Sequence, residues 1–153
     1  MELGISTASF FNVAKTEDTF ELVRRYGFNV CEVFLTTFSE YELDFAKVLN
    51  DRRYGVKVHS VHSYTTSFEP MLFNPAERTR HDGEKLYNKV LKAGQILGAS
   101  NYTFHGQSRM KKTTVYDYEK VGLRYEELAL KANEYGIDLC LENVHWAFNN
   151  EPS

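Results

Sequence analysis

The chain has 153 residues, 42% hydrophobic, 25% charged and 14% aromatic, the balance of one soluble globular domain over residues 1–153. A net charge of −3 and a pI near 6.0 give no electrostatic footprint for a phosphate backbone, which argues against nucleic acid as a partner. No apolar run approaches the roughly 18 residues of a membrane span, and Met1-Glu2-Leu3-Gly4 is no signal peptide. With Cys31 and Cys140 each inside an apolar run, a reducing, cytoplasmic setting is expected.

Short apolar runs alternate with longer segments of helical period. Residues 2–6 read as a first strand, followed by a helix from about Thr16 through Phe20 and Val23 to Tyr26. Residues 29–35 follow Gly27 as a second strand, and a second helix is expected from Ser39 to about Arg53. Residues 56–61, after Gly55, make the third strand. The third helix carries the stripe Leu86, Val90, Ala93 and Leu97 and is expected to open near Asn74-Pro75, with Pro75 at its first position. Residues 101–105 follow Gly98 as the fourth strand. A fourth helix places Val121, Tyr125, Leu128 and Ala132 on one face, and residues 137–144 follow Gly136 as the fifth strand.

The repeated helix, glycine, strand order is the pattern of βαβ units on a parallel sheet. Glycine suits the end of each helix because it tolerates positive φ. An eight-unit (β/α)8 TIM barrel uses about 250 residues, so five units in 153 residues predict an incomplete barrel, its N-terminal five-strand portion. A doubly wound open sheet of similar length is the competing α/β architecture. Against it stand the lack of a Gly-rich phosphate loop after the first strand, where Ser6-Thr7-Ala8-Ser9-Phe10 occurs, and of a helix after the fifth.

Catalytic groups of barrels sit at the C-terminal ends of strands. The fifth strand ends in Glu142-Asn143-Val144-His145-Trp146, and a carboxylate there costs several kcal/mol unless paired, hydrogen-bonded or bound to a cation. In the third strand His59 and His62 are three apart, so period two sends them to opposite faces, and His62, nearer the loop 64–70, is the candidate. The fourth strand ends in His105-Gly106. His62, His105 and Glu142 thus occupy equivalent ends of three consecutive strands, a donor set suited to zinc, manganese or iron. Glu32 is a further inward-facing candidate, with an ion pair inside the barrel as its alternative role. His81 belongs to a solvated helix face. The basic cluster Arg109, Lys111 and Lys112 suits an anionic substrate such as a sugar phosphate, or an exposed loop. Tyr64, Phe68, Phe73 and Trp146 suit stacking on a sugar ring and would equally well wedge into a duplex.

Val61-His62-Ser63, Thr103-Phe104-His105-Gly106 and Cys140-Leu141-Glu142-Asn143, by their order and strand positions, resemble the xylose-isomerase-like barrel superfamily. That superfamily joins sugar isomerases and epimerases to endonuclease IV. The isomerase and epimerase branch implies that Glu142 is the first of four ligands to a divalent metal (Mn, Zn, Mg or Co) and an acid/base for a proton next to a carbonyl. His62, His105, Tyr64 and Trp146 would then bind a sugar or sugar phosphate. The endonuclease branch implies instead that His62, His105 and Glu142 are all zinc ligands for abasic-site cleavage. A third expectation is a non-catalytic half-barrel that associates through the open edges of its first and fifth strands, as a homo-oligomer or with a missing C-terminal half.

Overall fold

The computed structural model describes residues 3–64, 68–109 and 117–149. Glu2, at the start of the expected first strand, and Lys111 and Lys112 of the basic cluster lie outside them. Among the described residues the chain alternates strand and helix: β1 (Ile5–Ser6), α1 (Thr19–Arg25), β2 (Val30–Leu35), α2 (Leu43–Arg52), β3 (Lys57–Ser63), α3 (Glu77–Leu97), β4 (Asn101–Phe104), α4 (Tyr118–Asn133) and β5 (Asp138–Leu141). All five strands are parallel and lie in the order β1-β2-β3-β4-β5. A doubly wound sheet reverses its strand order at a switch point. Sequential order in one direction is the course of a barrel wall.

The alternation of side chains sorts the sheet into two faces. Val33, Leu35, Val61, Tyr102 and Phe104 are buried on the helix side, where they join Phe20, Ala46, Leu49, Val90 and Leu97 from the helices in one core. Ser6, Glu32, Ser60, His62 and Thr103 share the opposite, inner face. A Cβ at Gly94 would stand 2.8 Å from Ile137 Cδ1 and 3.1 Å from Val61 Cγ2, so the bare glycine is what lets α3 close on the sheet. The four helix-closing glycines, Gly27, Gly55, Gly98 and Gly136, all adopt positive φ as expected.

Several boundaries differ from the sequence expectation. Asn74 accepts a hydrogen bond from the Ala76 amide through Oδ1, which holds this stretch extended, so α3 opens at Glu77 and Pro75 precedes it. Ser39 and Glu40 belong to a 3-10 turn (Phe38–Tyr41), and the extended Glu42 separates that turn from α2. Strand β3 continues through His62 to Ser63, whereas β4 and β5 end at Phe104 and Leu141. His62 therefore stands inside its strand, while His105 and Glu142 are the first residues beyond theirs.

The expectation that His59 and His62 face opposite sides is corrected. The register steps from Cys31↔Val58 to Glu32↔Ser60, so one extra β3 residue is accommodated at this bulge and period two is lost. His59 bonds the Asn101 amide and lines, with Ser6, Glu32 and Ser60, a cavity of about 440 Å³ on the inner face. It lies deeper than His62, toward the start of the strand.

Candidate functional site

Glu32 anchors the inner face. One of its carboxylate oxygens accepts from Ser6 Oγ at 2.8 Å and lies 3.4 Å from His62 Nδ1; the other accepts from Thr103 Oγ1 at 2.7 Å and Ser60 Oγ at 3.2 Å. The partners come from β1, β3 and β4, so one side chain ties four strands together. Burial by itself would raise this carboxyl, but the hydrogen bonds from His62, Thr103 and Ser6 outweigh it and hold the group down at about 2. Glu32 is thus ionised at neutral pH. It turns His62 so that Nε2 faces the mouth of the sheet, buried and without a hydrogen-bond partner among the described residues.

His105 follows β4, 4% exposed, with Nε2 2.7 Å from Glu142 Oε2. Burial and the neighbouring His62 charge lower its basicity, against the opposing pull of Glu142. A neutral imidazole is the form that binds metals. Glu142 continues the β5 pairing through its amide to the Phe104 carbonyl at 3.0 Å, which places its half-exposed carboxylate at the level of His105.

Aromatic rings close the mouth. The His62 and His105 rings lie 4.9 Å apart, Phe34 meets His62 edge-on at 4.9 Å, and Trp146 covers His105 at 4.8 Å. Trp146 is held there by the Ser108↔Ala147 bridge and by the Arg109 amide donating to its carbonyl at 2.7 Å. Tyr64, half-exposed, packs its ring edge near Phe34 at 6.2 Å. Of the five residues singled out from sequence, His62, His105, Glu142 and Trp146 thus lie together, and Tyr64 joins them through Phe34.

Two aromatic expectations are corrected. Phe68 is fully buried against Tyr41, and Phe73 packs on Tyr125 at 4.7 Å, so neither faces the mouth where a sugar would stack. Phe68 directly precedes, and Phe73 ends, the 3-10 turn Glu69–Phe73, which packs against α3. His81 pairs with Glu84 at 3.7 Å on the exposed face of α3, in keeping with a solvated role. Arg109 is exposed beside the site.

Glu69 was not singled out from the sequence, yet it is the most deeply buried carboxylate among the described residues, at 0% exposure. Oε1 accepts from Ser63 Oγ and Tyr102 OH, and Oε2 from the His105 and Gly106 amides, all at 2.9 Å. Burial raises its carboxyl to about 7 against the lowering effect of these bonds. The signal in the sequence was an acid set among Phe68, Met71, Leu72 and Phe73, where a solvated loop would carry few apolar neighbours.

Ligand atoms of His62, His105 and Glu142 all lie within 4.8 Å of one another. Donors about 2.1 Å from one tetrahedral ion stand ~3.4 Å apart, so the widest-set donors need to close by up to about 1.4 Å, while His105 Nε2 and Glu142 Oε2, at 2.7 Å, need to open. Glu142, with 43% of its side chain exposed, has room to make that move. His62 Nε2, buried and without a hydrogen-bond partner among the described residues, fits a cation, because a buried polar nitrogen without a partner is costly.

The model of the xylose isomerase-like TIM barrel matches residues 20–152. The chain belongs to this family. Comparison with curated protein sequences gives no match. Among solved structures, D-psicose 3-epimerase from Clostridium cellulolyticum H10, crystallised with D-tagatose, is 22% identical, with a TM-score of 0.73 over 94% of this chain and 53% of that one. A D-tagatose 3-epimerase-like protein is 19% identical, TM-score 0.74, over 97% and 56%. The 3-keto-D-glucoside 4-epimerase of E. coli is 16% identical, TM-score 0.70, over 96% and 57%. At these identities the likeness is one of fold, and this xylose isomerase-like chain spans little more than half the length of each. Among the described residues no helix is long and apolar enough to cross a membrane.

Proposed function

We propose that the chain carries the first five βα units of a metal-dependent sugar or sugar phosphate isomerase/epimerase, which moves a proton next to a carbonyl. The observation that carries this reading is the convergence of His62, His105 and Glu142 at the mouth of an epimerase-like sheet. These three residues would hold a divalent cation, which when bound supplies a Lewis acid for the carbonyl oxygen. Glu142 is the acid/base in this reading, since its carboxylate is accessible and hydrogen-bonded to His105. Glu32 orients His62. Trp146 and Phe34 wall the opening and exclude water, and Tyr64 stands at its rim, where a sugar hydroxyl or ring face can reach it.

One observation favours a second reading. Two histidines and a glutamate as a joint donor set is what the resemblance to endonuclease IV implies, and these three do converge. The net charge of −3 weighs against binding a polyanion. Trp146 is the single tryptophan of the chain and touches His105, so its fluorescence reports directly on the site. With Mn²⁺ present, a ketopentose or ketohexose is expected to change Trp146 emission, saturating at up to about 1 mM. A duplex containing an abasic-site analogue is expected to leave it unchanged. Saturation by the duplex and none by the sugars would replace the sugar reading with the nuclease one.

A further inference from the structure

Among the described residues Glu69 touches none of the groups at the mouth through its own side chain except by way of His105, and burying a carboxylate under a sheet with no lysine or arginine ion pair among the described residues is costly. Its four hydrogen bonds have a clear division. Ser63 at the end of β3 and Tyr102 in β4, both on the helix side of the sheet, hold Oε1; the amides of His105 and Gly106 are gripped by Oε2. The carboxylate thus spans from the layer under the helices to the backbone at which β4 turns into the site.

Gly106 makes that turn, with φ +73, and a Cβ there would lie 2.4 Å from Tyr125 OH. The peptide that leaves β4 is therefore fixed from two sides, by Tyr125 packing and by the Glu69 carboxylate. On the other side of the same residue, His105 Nδ1 lies 3.9 Å from Glu69 Oε2 and has no hydrogen-bond partner among the described residues.

We propose that Glu69 is a positioning residue: it holds the main chain of His105 and Gly106 so that His105 Nε2 stands beside Glu142 and across from His62. The role rests on the reading above that these three residues bind a divalent cation, and it acts through hydrogen-bond acceptance. Glutamine in this position accepts both amides through one oxygen and places its NH₂ against Ser63 and Tyr102, whose hydroxyls can accept. Alanine offers neither contact.

The test is a Co²⁺ titration of the 153-residue chain, read by the visible absorption of the bound ion, for wild type, Glu69→Gln and Glu69→Ala, each shown to be folded by circular dichroism. Expected is a 10- to 100-fold loss of Co²⁺ affinity in Glu69→Ala and rescue to within about threefold in Glu69→Gln. Wild-type affinity in a folded Glu69→Ala would overturn the proposal, since a merely stabilising residue leaves affinity unchanged. Should Glu69→Ala fail to fold, Ser63→Ala and Tyr102→Phe each remove one anchor; weakened Co²⁺ binding in both supports the role, and unchanged binding in both overturns it. Failure of wild type to bind Co²⁺ sinks the metal reading, and the His105 side-chain ¹⁵N signals then decide Glu69 on their own. They shift in Glu69→Ala and return in Glu69→Gln if it positions the ring; unmoved signals in Glu69→Ala overturn it.

Discussion

Replacing Glu32 by glutamine probes the inner face through its pH dependence. The native carboxyl is held at about 2 against an ordinary 4.5, which corresponds to at most ~3 kcal/mol of stabilisation of the charged form. The side chain is 22% exposed, and solvent screening reduces this to about 1–2 kcal/mol. Because the folded value is depressed, the contribution is fully present above pH 4.5 and is lost as pH falls from 4.5 toward 2. Glu32→Gln lacks it at every pH. Urea unfolding followed by circular dichroism should therefore show the variant about 1–2 kcal/mol less stable at pH 7, with the gap narrowing at pH 4 and further at pH 3. A gap that stays constant from pH 7 to pH 3, or a variant as stable as wild type at pH 7, would refute the reasoning.

Glu69 gives the opposite sign: with its folded carboxyl raised from 4.5 to about 7, its contribution is fully present below pH 4.5 and lost as pH rises through 7. Glu69→Gln should flatten that decline, so that its melting temperature relative to wild type is higher at pH 8 than at pH 5. Gly106→Ala combines a positive φ with a clash against Tyr125 and should cost about 2–4 kcal/mol in urea unfolding. Among the described residues, strands β1 and β5 each end the sheet with an unpaired edge. Sedimentation of the 153-residue chain at micromolar concentration should show a dimer or larger assembly, and a cooperatively folded monomer would contradict this.

The barrel course was legible because each strand after the first is announced by a glycine that ends the helix before it, and positive φ at Gly27, Gly55, Gly98 and Gly136 is a local property that sequence states directly. The convergence of His62, His105 and Glu142 was legible for a related reason: strand ends in a parallel sheet face one mouth. The position of His59 was not legible. A bulge is decided by how β2 and β3 pair, so counting by two along β3 alone fails at the step from Val58 to Ser60. Phe68, Phe73 and Glu69 were hidden because the stretch Phe68–Phe73 packs against α3, a tertiary choice that buries Phe68 and Glu69 where a surface loop was expected.

The central claim is that His62, His105 and Glu142 hold one divalent cation at the mouth of the sheet. Crystals of the chain soaked in Zn²⁺, with anomalous scattering recorded at the zinc edge, test it most directly. The account predicts a peak about 2.0–2.2 Å from His62 Nε2, His105 Nε2 and a Glu142 carboxylate oxygen. A peak bound elsewhere with these three left unligated, or no peak at their center, would contradict it.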